Sequence, residues 1–213
     1  MREGTVQAHC TFLDRPSFSL LSERKTAVAH CPLSNAYFSE KPFPLREALD
    51  LGVMVGLGTD IAGGYSTDIM NSMRHAVAVS RMRQGAHFME SVSGNAMTQA
   101  TNDSLAITWK ESLYLATRGG ALSLGLKDVG EFKVGTPFDA QESMYCRLAM
   151  MACLLISPVF LYDFESSSGF GGLDFFDEQP LSAGITMDMI EKWWCMGDIQ
   201  SRVGMWVQGK RLV

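Results

Sequence analysis

Apolar and polar positions along the first third of the chain alternate between two kinds of run. Thr5–Cys10 (TVQAHC) and Lys25–Cys31 (KTAVAHC) are short β-like runs, the second stopped by Pro32. Val53–Asp60 (VMVGLGTD) is a third, apolar along most of its length. A run apolar on both faces marks a parallel strand buried on both sides. Between the runs lie helical patterns at Pro16–Arg24 and at Leu45–Leu51, the latter closed by Gly52. Strands alternating with helices predict a parallel α/β sheet or barrel. Past Gly63-Gly64 a helix is predicted from Thr67 to Arg83, with Met70, Met73, Val77 and Ser80 on one face. Another is predicted over Ile107–Thr117, ended by Gly119-Gly120 and followed by a helical turn at ALSLGL. In Val129–Ala140 (VGEFKVGTPFDA) Gly and Pro punctuate short β runs, which predicts a hairpin and a change to mostly β structure. Ser166–Gly172 reads as a linker and Met187–Cys195 as a short helix carrying Trp193 and Trp194. Met205–Val213 reads as two β runs around Gln208-Gly209. The expected organisation is α/β over 1–128, then a small β-rich segment over 129–213.

Composition narrows the partners. With 18 Lys+Arg against 23 Asp+Glu, the net charge is -5. The chain lacks the basic field that a phosphate backbone requires, so nucleic acid is not an expected partner. The 5 cysteines are odd in number and none pair as C-x-x-C, which argues for a reducing, cytoplasmic setting. MREGTVQAHC contains no apolar signal core. The apolar stretch at 144–162 approaches spanning length. Arg147 and Pro158 interrupt it and its flanks are acidic, so no membrane association is expected.

Candidate chemistry sits at the ends of the three β-like runs. His9, His30 and Asp60 would converge on one rim of a parallel sheet or barrel, where a metal or proton-transfer site is built. Each histidine could instead be a core residue bonded to backbone, and Asp60 could cap the next helix. His75, mid-helix, and His87, in a Gly-Ala-His-Phe loop, read as surface or packing residues. No H-x-H, H-E-x-x-H, P-C-x-x-C, G-x-S-x-G or P-loop is present, and Gly56-Leu57-Gly58 lacks the third glycine of a dinucleotide loop. The 14 methionines read as gap-filling core.

Longer strings carry a resemblance. VGLGTDIAGGYSTDIMNSMRHAV resembles the final barrel strand and following loop of the guanine deaminase family, within the metal-dependent amidohydrolase superfamily. VQAHCTFL and AVAHCPLSNAYF look like that family's two preceding strand ends. LYLATRGGALSLGL and VGEFKVGTPFDA resemble its last barrel helices and its return to a small β domain, and IEKWWCMGDIQSRVGMWVQGKRLV its C-terminal segment. The resemblance implies the C-terminal part of a (β/α)8 barrel, one Zn2+ ion, and hydrolysis of guanine to xanthine and ammonia in purine catabolism. It implies that Asp60 binds the metal and takes a proton from the metal-bound water. By the same resemblance His9 is catalytic and orients water or substrate, and His30 is a substrate-side residue. The small-molecule purine is the implied partner, and the full-length family forms homodimers.

The chain also departs from the family. The H-x-H pair, the strand-five histidine with its glutamate, and the purine-clamping residues are all missing. An incomplete chain, inactive alone, is therefore expected. Two further readings stay open: an amidohydrolase acting on another heterocycle or chloro-s-triazine, and a non-catalytic interaction module.

Overall fold

The computed structural model describes residues 2–93, 104–145, 148–152 and 185–213. Three short strands, β1 (Val6–Ala8), β2 (Ala27–His30) and β3 (Val55–Leu57), form a parallel sheet in the order β1-β2-β3. Val28 pairs with Gln7 on one side and Val55 on the other. Helix α1 (Arg15–Glu23) connects β1 to β2. It starts at Asp14, whose carboxylate accepts from the Ser17 amide, and Pro16 occupies its first turn. Helices α2 (Pro32–Phe38) and α3 (Leu45–Asp50) connect β2 to β3. Gly52, at φ +76, takes the left-handed position that ends α3, as its sequence position predicts.

Several sequence expectations need correction. Pro32 does more than stop a strand: it opens α2, because proline's fixed φ and missing N–H suit the first helical turn. The third strand is three residues long, since Gly58-Thr59-Asp60 leaves the sheet to turn. The helix predicted to end at Arg83 continues as α4 (Ile69–Ser93). Its first half buries Met70, Met73, Ala76, Val77 and Ser80, and its second half carries Met82, Phe88, Met89 and Val92 to the surface. Gly119-Gly120 does not end a helix. After α5 (Trp109–Ala116), capped by Thr108 with Glu111, both glycines lie inside α6 (Arg118–Ser123).

Those glycines let α6 lie directly on β3. A Cβ on Gly56 would stand 2.9 Å from the Gly120 Cα, and one on Gly119 would stand 2.9 Å from the Val55 carbonyl oxygen. Both neighbours are backbone, which cannot swing aside. Gly56→Ala is therefore expected to destabilise the chain by about 1–3 kcal/mol. A chemical-denaturation midpoint equal to that of the parent would show that the helix and strand are not in this contact.

The predicted hairpin over 129–140 is a series of turns with no strand before Ala140. The pairing comes later, in an antiparallel sheet ordered β5-β4-β6-β7, from β4 (Ala140–Tyr145), β5 (Leu148–Ala152), β6 (Arg202–Val207) and β7 (Lys210–Arg211). The last two strands are the β runs expected around Gln208-Gly209. The linker expected at 166–172 and most of the apolar stretch at 144–162 lie outside the described residues. Among the described residues no helix is long and apolar enough to cross a membrane.

Helix α7 (Met187–Met196) packs Ile190, Trp193 and Trp194 into the same core as Phe18, Val28, Phe43, Met73 and Leu115. Two ion pairs brace the helices. Arg83 grips Glu47 of α3 through both guanidinium nitrogens at 3.0 and 2.5 Å, and Arg46 reaches Glu111 of α5 at 2.6 Å.

Candidate functional site

The three parallel strands end at one rim, and the backbone turns sharply there. The His9 amide donates to the Ala29 carbonyl, and the Gly58 amide to the His30 carbonyl, so the ladder extends just past β1 and β3. Immediately beyond, His9 and Cys10 have φ of +65° and +54°, and Asp60 and Ile61 have +57° and +44°. The left-handed region costs a non-glycine residue roughly 1–2 kcal/mol, and a β-branched residue such as Ile61 is rarely found there. Strain of this kind persists where the surroundings over-determine a conformation, and it gathers at working sites. Here two strained pairs close two strands and bring His9 and Asp60 together, with His9 Nε2 3.9 Å from Asp60 Oδ2. That distance is electrostatic contact, beyond hydrogen-bond range.

Both side chains are partly open, at 42% and 37% exposure. They line a shallow cleft of about 570 Å³ with Phe12, Ser34, Asn35 and Phe38 among its walls. The volume lies in the range of small-molecule sites.

Two residues that sequence reasoning did not single out organise this pair. Ser34 Oγ donates to Asp60 Oδ2 at 2.6 Å, and Asn35 Oδ1 lies 2.9 Å from His9 Nδ1. Both stand in the first turn of α2. The available signal was Pro32: a proline just after a strand predicts the first turn of a helix, which places the following Ser-Asn at the same rim.

His30 is placed differently. It remains within β2, 2% exposed, with its ring against Phe43 at a centroid distance of 4.9 Å. Its link to the cleft is Asn35, whose Nδ2 donates to His30 Nδ1 at 3.2 Å. Burial above all, then the nearby His75 and His9 rings, pushes the His30 imidazole down to about 3. His30 is therefore a neutral ring beneath the cleft floor.

His75 is half-buried in α4, edge-on to Tyr65, and its Nε2 is buried without a hydrogen-bond partner. His87 is exposed. Burial, and then the Asp60 charge, pushes the Cys31 thiol up to about 11, so it stays protonated and is a poor metal ligand. The described cysteines, Cys10, Cys31 and Cys195, are free thiols.

Among the described residues no three His, Cys, Asp or Glu side chains come together as a metal site. His9 and Asp60 are two donors, and a catalytic zinc takes three protein ligands plus water. These residues do not complete a zinc site by themselves. A second cavity, of about 550 Å³ between α4, α5 and α7, shares no wall residue with the first. It is lined by Met70, Met73, Leu113 and Trp193, with Asp68 and Arg202 among its polar walls.

Comparison with known proteins bears on this geometry. Residues 2–141 match the amidohydrolase family. Guanine deaminase of Dictyostelium discoideum is 30% identical over 213 residues, covering 100% of this chain and 38% of its own length. The solved structure of the Escherichia coli guanine deaminase superposes with a TM-score of 0.66 at 25% identity, covering 100% of this chain and 39% of that one. An adenosine deaminase from Xanthomonas campestris, solved with bound zinc, shares the fold at a TM-score of 0.57 and 21% identity, covering 97% of this chain and 36% of that one. The chain thus spans well under half the length of these relatives.

Proposed function

This chain belongs to the amidohydrolase family, and from that premise we propose that it is the C-terminal part of a guanine deaminase, whose full-length form hydrolyses guanine to xanthine and ammonia. In this reading β1, β2 and β3 are late strands of a (β/α)8 barrel, and residues from 129 onward belong to a small β-rich segment. The observation that carries the reading is the strained convergence of His9 and Asp60 at the carboxyl ends of parallel strands. That is where barrel enzymes assemble their chemistry.

Asp60 is proposed as the one zinc ligand this segment offers and as a proton-transfer group. Ser34 and His9 both address its Oδ2, which leaves the carboxylate oriented toward the cleft. His9 is proposed to hold the water or the purine, and His30 to act on the substrate side through Asn35. Phe12 and Phe38 offer apolar walls of the kind a flat heterocycle needs. The remaining zinc ligands would come from outside the described residues.

Elemental analysis and an activity assay test this together. The isolated chain is expected to hold far less than one zinc per molecule and to produce no xanthine from guanine. A full-length enzyme containing this segment is expected to hold one zinc and to turn guanine over. Stoichiometric zinc with turnover in the isolated chain would refute the incomplete-site reading. A zinc-loaded full-length enzyme that ignores guanine and deaminates another heterocycle would refute the substrate.

A further inference from the structure

We propose that Glu40 is a specificity-determining residue of the cleft, whose carboxylate accepts the paired N–H edge of an unphosphorylated nitrogen heterocycle. The proposal rests on the reading of the His9–Asp60 cleft as the substrate site and adds which edge of the substrate the cleft reads.

Glu40 stands in the cleft wall beside Phe38 and Ser39. It is exposed, and among the described residues its side chain makes no hydrogen bond and no ion pair. It does not join His9 and Asp60 around a metal ion, since no three His, Cys, Asp or Glu side chains come together among the described residues. Its two acceptor oxygens are therefore free for a ligand.

The backbone on either side of Glu40 is held. Ser39 Oγ donates to the Lys41 carbonyl at 2.9 Å and accepts from the Lys41 amide at 3.3 Å, a bridge that spans Glu40. The same oxygen lies 3.1 Å from Thr11 Oγ1, which ties the end of α2 to the segment that carries Phe12. Three residues after Glu40, Phe43 is buried against Phe18 and His30. The chain at Glu40 is anchored on both sides, so residue 40 loses little backbone freedom on meeting a ligand.

The chemistry of the walls selects the ligand. They carry two carboxylates, Asp60 and Glu40, and no lysine or arginine. An ionised carboxylate only accepts hydrogen bonds, and its two oxygens match two parallel N–H donors. A flat heterocycle with a ring N–H beside an exocyclic amino group presents that pair. Phe12 and Phe38 supply exposed aromatic faces for its ring. A phosphate on the same ligand brings negative charge toward Asp60 and Glu40, with no cation in the walls to offset it. Glu40 therefore favours the N–H edge and disfavours the phosphorylated form.

Chemical-shift titration of this chain with three probes tests the assignment. Guanosine has the paired edge and no charge, 1-methylguanosine lacks the ring N–H, and guanosine 5′-monophosphate adds a phosphate. Guanosine is expected to bind with a Kd of about 1 mM, the affinity of a few contacts in a shallow site, and to shift the amides of Phe12, Phe38 and Glu40. The other two are expected to bind at least about threefold more weakly. Glu40→Gln keeps the size, removes the charge and replaces one acceptor by a donor. It should weaken guanosine by about 3- to 10-fold, the size of exposed charge-assisted hydrogen bonds. It should affect 1-methylguanosine less and narrow the gap between guanosine and its monophosphate. Because Glu40 holds no partner, the thermal midpoint of the variant should equal that of the parent. No guanosine-induced shifts in the parent, shifts that bypass these three residues, or a Glu40→Gln variant that binds guanosine as the parent does would overturn the proposal. Selectivity through Glu40 in a chain whose full-length enzyme ignores guanine would sink the deaminase reading and leave Glu40 in its role. An active full-length guanine deaminase whose segment binds guanosine equally well with Glu40→Gln would remove Glu40 and leave the deaminase reading.

Discussion

Asp60→Ala, introduced into a full-length enzyme carrying this segment, is expected to lower kcat/KM for guanine by at least 10²–10⁴-fold, the range of a lost proton-transfer group on its own. Loss of a metal ligand would add to that. The effect on stability should be small. Asp60 is more than a third exposed and gives up one hydrogen bond, from Ser34 Oγ. As a bond to a charged group at a partly exposed position, it is worth about 1.5 kcal/mol net. Asp60→Asn separates the two contributions. An amide oxygen still accepts from Ser34, and asparagine tolerates the +57° backbone that residue 60 adopts. Its thermal midpoint should match the parent while its activity falls with that of Asp60→Ala. Paired melting curves and steady-state kinetics would check both. Undiminished turnover in Asp60→Ala would remove this carboxylate from the mechanism and with it the main support for the functional reading.

The largest loss of stability is expected from Trp194→Ala. Trp194 is 7% exposed and sits in the central core with Trp193 and Ile190. Its Nε1 donates to the buried Ser112 Oγ at 3.1 Å, and its carbonyl accepts from Arg74 Nε at 2.9 Å. One residue therefore joins α7 to α5 through its side chain and to α4 through its backbone. Removing the indole leaves a cavity and an unpartnered site beside Ser112. Truncations of this kind cost about 3–5 kcal/mol. For a chain of this size that corresponds to roughly 10 °C of thermal midpoint, at 2–4 °C per kcal/mol. Trp194→Phe keeps most of the volume and loses the hydrogen bond, so it should fall between variant and parent. The arginine contact is to backbone and survives both substitutions. A Trp194→Ala midpoint within one or two degrees of the parent, about 2–4 °C being the shift for each kcal/mol, would mean that α7 does not pack here.

Local chemistry was legible wherever it acts over a few residues. The three β-like runs, the helix before Gly52, the amphipathic start of α4 and the terminal β pair all follow from periodicity and turn residues. Gly119-Gly120 misled because glycine usually ends helices. Here it serves a tertiary need, the close approach of α6 to β3, which no single segment displays. The hairpin expected at 129–140 failed for a related reason. β4 pairs on one side with β5, which starts three residues after it ends, and on the other with β6, some sixty residues further on, so only one of its two pairings lies near in sequence and neither lies within 129–139. His9 and Asp60 could be singled out because each closes an apolar run. Ser34 and Asn35 close no apolar run, and the one signal for them was Pro32, which opens the helix that carries them to the rim.

The order of residues by itself determined which segments extend, which coil, and which three polar side chains stand at strand ends. Those outcomes depend on contacts a few positions apart. Only the folded chain decided that His9 and Asp60 meet at 3.9 Å while His30 withdraws into the core and reaches them through Asn35. The His9–Asn35 and His9–Asp60 contacts span 26 and 51 positions of chain, and they are set by how parallel strands stack in register and how sharply the backbone turns beyond them.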